Sequence, residues 1–166
     1  MAKLSEAGQV AAPAFLKPDS RVPASLRELL LEADSCMENG LFIGATGCAQ
    51  RAVDTLLKME KVEGSSHDAR VRSFGEKMPG LSQFYITVLT QLGDVGTTVK
   101  LPTNTLQPLL ATIKAVAYEI YVATPERAER SQYVRRLLDA SDRKPTETSE
   151  RKATPATLAS MGTTGA

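Results

Sequence analysis

Tryptophan is missing from this 166-residue chain, and four Phe with four Tyr leave aromatic residues at 5%. A core must therefore come from Leu, Ile, Val and Ala, the usual material of packed helices. One histidine, His67, and two cysteines, Cys36 and Cys48, match no zinc-ligand spacing, so no metal centre is expected. Nor is there a phosphate loop, because Gly44-Ala45-Thr46-Gly47 has the wrong spacing and no Lys-Ser or Lys-Thr follows it. No cofactor is expected. Apolar runs stay short of the roughly 20 residues of a membrane span, and the first residues lack a charged-then-apolar leader, which predicts a cytoplasmic protein without membrane contact. Twenty basic and nineteen acidic residues leave a net charge of +1. Such a balance supplies no field to hold a polyanion, so nucleic-acid binding would need a local patch.

What is present is helical periodicity. Residues 1 to 22, with two prolines and only short apolar pairs, read as a mobile arm. Beyond Pro23, Ser25 and Glu28 have capping-box spacing, and Leu26, Leu29, Leu30, Ala33 and Met37 trace one face of a helix that Asn39-Gly40 ends. A second helix from about Leu41 to Lys61 places Phe42, Ala45, Ala49, Ala52, Val53 and Leu56 on one face. Its other face carries the small residues Gly44, Gly47 and Cys48, which invites close approach of a neighbouring helix to offset the roughly 1 kcal/mol that each interior glycine costs. Asp68 is the expected cap of a short third helix with Val71, Phe74 and Met78 inward. Leu81, Tyr85, Val88, Leu89, Leu92 and Val95 mark a fourth.

Leu106, Leu109, Leu110, Ile113, Ala117, Ile120 and Tyr121 mark a fifth helix, with Pro108 expected in its first turn. Thr124-Pro125 reads as the start of a last helix to about Ala140. From Lys144 onward the chain is Thr, Ser, Ala and Lys with two prolines, a composition expected to be disordered. The expected architecture is thus all-α: an antiparallel bundle of about five to six helices over residues 23 to 141, with disordered tails at 1 to 22 and 142 to 166. Cys36 and Cys48, at unequal distances from the turn near Gly40, read as reduced thiols rather than a disulfide.

Two short patterns go further. The second helix offers Gln50-Arg51-Ala52-Val53-Asp54, and Gly93-Asp94-Val95-Gly96-Thr97-Thr98-Val99-Lys100-Leu101 follows some forty residues later. Together they resemble a bacterial helical-domain family near the HEPN superfamily of metal-independent ribonucleases. In that family the second helix reads Arg-Arg-x-x-Glu, and the later segment reads roughly Arg-Asp-Ile-Gly-Asn-x-x-Ala-His. Arg51, Asp54 and the Asp94-Val95-Gly96 centre match, whereas Gly93, Thr97 and Leu101 stand where the family has Arg, Asn and His. The resemblance implies the family's fold and a homodimer paired through helices flanking the tract. The departures imply a lost ribonuclease site, since the chemistry needs a cation for the developing phosphorane-like charge and an imidazole to move a proton.

The function expected from these readings is a non-catalytic helical interaction or regulatory module with a protein partner, defence-associated by analogy. The alternatives are an RNA-binding or RNA-cleaving protein using other residues, or a small-molecule binding domain. The candidate polar site comprises Arg51, Asp54, Asp94 and Lys100, with Arg51 expected to cap carbonyls of the 93 to 98 loop and to pair with Asp54. His67 reads as a solvated loop residue. Tyr133, Arg135 and Arg136 are the candidate nucleic-acid contacts, since an aromatic beside arginines can join stacking to phosphate contact. Replacing Gly93 with Arg, Thr97 with Asn and Leu101 with His together is expected to leave the fold intact.

Overall fold

A computed structural model describes residues 16–95 and 99–142, and all regular structure within them is helical. The helices are α1 (Ala24–Glu38), α2 (Phe42–Met59), α3 (His67–Lys77), α4 (Gln83–Gln91), α5 (Thr103–Tyr118) and α6 (Thr124–Asp142). A 3-10 turn (Leu92–Asp94) follows α4, and a π segment (Glu119–Ala123) joins α5 to α6 without a break. Six α segments therefore form five rods. The expected N-cap at Thr124 is corrected: its backbone stays helical at φ −66° and ψ −48°, and Pro125 is tolerated because the wide π turn precedes it.

The described residues through Arg130 make one compact unit. α1 and α2 form a hairpin; α2 also touches α5 and α3, while α4 packs on α3 and α5. The hairpin turn is built as a Schellman motif: Gly40, at φ +72°, donates to the Met37 carbonyl while Leu41 donates to that of Cys36. That positive φ is inexpensive only for glycine. The far end of α2 closes in the same way, with Lys61 at φ +51° donating to Lys58 and Val62 donating to Leu57.

The inward face expected for α2 is observed in Ala45, Ala49, Ala52, Val53 and Leu56, all buried, with Phe42 half-buried. Close approach on its other face is observed too. A Cβ added at Gly44 would lie 3.1 Å from Cys36 Sγ, so the glycine makes room for α1. Both cysteines are free thiols. From the other helices Leu26, Leu30, Val71, Phe74, Leu89, Leu106, Ile113 and Val116 complete a core of aliphatic side chains around one phenylalanine.

Local starts differ from expectation. α1 has no side-chain cap and begins after Pro23, so Ser25 and Glu28 form no capping box. Ser66, not Asp68, caps α3, its hydroxyl accepting from the Ala69 amide. α5 begins at Thr103, which moves Pro108 into the second turn, where Thr112 Oγ1 donates to the Pro108 carbonyl. Residues 16–22, expected to belong to the arm, supply Val22 to the core. Arg21 also bonds Asp19 and Glu126. Its guanidinium holds the Asp19 carboxyl down at about 2 and lowers that of Glu126. Residues 1–15 and 143–166, the remainder of both expected tails, lie outside the described residues.

From Ser131 a second unit begins, and its described part is the end of α6. Every residue from Ser131 to Ser141 is exposed. Among the described residues no helix is long and apolar enough to cross a membrane.

The core depends on Phe74, which is fully buried and is the largest such side chain. Phe74→Ala is expected to lower unfolding free energy by about 3–5 kcal/mol, measured by urea titration. A loss below about 1 kcal/mol would mean that α3 does not close the core as described.

Candidate functional site

The clearest convergence of polar groups lies where α2, α3 and the 3-10 turn meet. There a cavity of about 300 Å³ is lined by Gln50, Asp54, His67, Arg70, Gly93 and Val95. Each arrives for a local reason. Gln50 and Asp54 are four residues apart and so share one face of α2. His67 and Arg70 fall in the first turn of α3, set in place by the Ser66 cap. Gly93 sits in the turn that follows α4.

His67 corrects the sequence reading most. It is not a solvated loop residue: it opens α3, is half-buried, and its Nε2 lies 2.9 Å from the Leu89 carbonyl. A carbonyl can only accept, so Nε2 carries a proton and donates. The ring lies over Gly93 so closely that a Cβ there would come within 2.4 Å of His67 Cδ2 and 2.8 Å of Cγ. Gly93 has no side chain because the imidazole fills its place. The expectation that Arg is tolerated at position 93 is thereby corrected.

Arg51 is also reassigned. It points to α1, 3.6 Å from Glu32, with both side chains more than half exposed. Its Nη2 lies 3.4 Å from Cys48 Sγ. Burial pushes the Cys48 thiol up in spite of that guanidinium, which keeps it a protonated, unreactive group. Asp54 does not pair with Arg51; it accepts from Arg70 Nη2 at 2.6 Å, with Arg70 three-quarters buried. The loop-capping role falls one residue earlier, on Gln50, whose Nε2 donates to the Val95 carbonyl and reaches that of Leu92. Gln50 Oε1 is buried without a donor among the described residues.

The expected site of Arg51, Asp54, Asp94 and Lys100 is therefore not one site. Of those with described side chains, Asp54 alone faces the cavity. Lys100 Nζ lies 5.5 Å above the Phe42 ring at the other end of α2. The Asp94 side chain and residues 96–98, including Thr97, lie outside the described residues. Leu101 packs against the core, half-buried. Tyr133, Arg135 and Arg136 are exposed on α6. Sequence reasoning missed His67, Arg70 and Gln50. The available signal was the Ser66 cap, which places His67 and Arg70 three residues apart on one helical face.

Chemically, the cavity holds a partnered network. Arg70 is matched by Asp54, and Nε2 of His67 is engaged by the Leu89 carbonyl. Among the described residues no cluster of His, Cys, Asp and Glu could hold a metal ion. Comparison of the chain with protein-family models, with curated proteins and with solved structures finds no match.

The fit of His67 to Gly93 is open to a double-mutant cycle. Gly93→Ala is expected to cost about 1–3 kcal/mol by overpacking, and adding His67→Ala should recover most of that loss. Additive effects would show that the two positions do not touch. Arg51→Ala, by contrast, should leave the unfolding midpoint unchanged.

Proposed function

We propose that this chain is a non-catalytic helical interaction module, distantly HEPN-like, that pairs as a homodimer through α6. One observation carries the reading: α6 presents Tyr133, Val134, Leu137 and Leu138 on one face with exposures of 62, 52, 53 and 60%. In proteins most helical stability comes from burying an apolar face. Something should cover these four side chains.

A second copy suits the stripe. Its order, two apolar residues, Arg135-Arg136, then two apolar residues, reads the same in both directions. An antiparallel two-fold pairing centred between Arg135 and Arg136 sets Tyr133 against the Leu138 of a second copy and Val134 against its Leu137. Each apolar group thus meets another, as an isologous interface requires. At 100° per residue Arg135 and Arg136 fall off the stripe toward solvent. A net charge of +1 adds little repulsion between copies.

The absence of catalysis is supported by the engaged state of the His67 cavity and by the substitutions at Gly93 and Leu101 within the HEPN-like pattern. A second reading, RNA cleavage by other residues, draws on His67 and Arg70 lining one cavity. It is weakened because Arg70 is already neutralised by Asp54.

Light scattering at tens of micromolar is expected to give twice the chain mass, and Leu137→Glu with Leu138→Glu should give the monomer while the core stays folded. A monomeric parent protein would end the homodimer reading. Labelled RNA incubated with the purified protein, with and without magnesium, is expected to remain intact. Cleavage that co-elutes with the protein and disappears in His67→Ala would instead establish the second reading.

A further inference from the structure

A different cavity, of about 520 Å³, opens between the C-terminal half of α1 and α5. That lies within the roughly 300–1,000 Å³ of small-molecule sites. Lys114 lines it and is 8% exposed, with Nζ donating to Asp34 Oδ1 at 2.6 Å and Oδ2 at 2.7 Å. Lysine is rarely buried unless paired. Yet such a pair is commonly no more stabilising than two apolar side chains of equal volume, so stability gives no reason for it. An ammonium has three donors, and the third has no acceptor among the described residues.

The mouth has the opposite need. Glu38, the last residue of α1, is exposed and without an ion pair among the described residues. It stands at the negative end of the helix, where cations are favoured, and the last turn of α1 has no basic residue. Between floor and mouth the lining combines the aliphatic Leu16, Met37, Leu110 and Ala111 with the amides of Asn104 and Gln107.

We propose that this cleft binds a short zwitterion with an aliphatic body, the class of an aliphatic amino acid. Its carboxylate accepts the third proton of Lys114, its ammonium meets Glu38, and its hydrocarbon part covers the Met37 and Leu110 wall. Because Asp34 already neutralises Lys114, a bare anion gains little and is repelled at the mouth. A bare amine leaves the Lys114 donor unmet. The site does not depend on α6 or on the homodimer.

Isothermal titration of the full-length protein with L-leucine tests it, alongside 4-methylpentanoate, which lacks the amine, and 3-methylbutylamine, which lacks the carboxylate. L-leucine is expected to bind, and each half-ligand to bind at least about tenfold more weakly, equivalent to about 1.4 kcal/mol. Glu38→Gln, at an exposed position that leaves the thermal midpoint unchanged, is expected to weaken L-leucine about tenfold. Lys114→Met, folded by circular dichroism, should abolish binding. No binding of millimolar L-leucine would overturn the proposal, as would an amine that binds as tightly as L-leucine or a Glu38→Gln protein that binds it unchanged.

Discussion

The structure depends on how closely other helices can approach α2. Ala45, Ala49 and Ala52 are fully buried, and Gly44 leaves room for Cys36. With so little side-chain bulk on α2, α1 can run alongside it while α5 and α3 reach it from other directions. Larger residues there would push these neighbours apart and open voids in a core that must be close-packed. A chain without tryptophan has few ways to fill such voids. Small residues on the central helix and branched aliphatics on its neighbours are the physical solution adopted.

Two polar arrangements are set into that frame. In one, Lys114 and Asp34 meet between α5 and α1, eighty positions apart in sequence. In the other, Asp54 of α2 meets Arg70 of α3, with Gln50 tying α2 to the carbonyls after α4. Both join helices that the apolar core already brings together, so they set the register of that packing rather than drive it. Tyr121 adds a third tie, its hydroxyl donating to Glu60 at 2.8 Å. Burial and that carboxylate together raise its pKa.

The His67 and Gly93 contact changes how the tract after α4 is understood. By sequence alone, Gly93 is a position without a side chain. In the structure it is half of a steric pair, because an imidazole from a different helix occupies the space beside it. The ring is held by a backbone carbonyl, and the neighbouring guanidinium by a carboxylate. These are features of a packed polar junction. An exposed apolar stripe lies elsewhere, on α6.

The sequence by itself determined the all-α class, the faces of α2 and α5, and the stop at Asn39-Gly40. Each of these follows from periodicity or backbone preference acting within a few residues. What only the tertiary structure decided are the partners of long polar side chains. Arg51 was equally able to reach Asp54, a loop or α1, and the packing of α1 onto α2 selected Glu32. His67 looked solvated because its contacts, Leu89 and Gly93, are more than twenty residues away. The Lys114–Asp34 pair was invisible for the same reason: periodicity reports which face is buried, but a charge inside that face finds its counterpart only once two helices have been laid side by side.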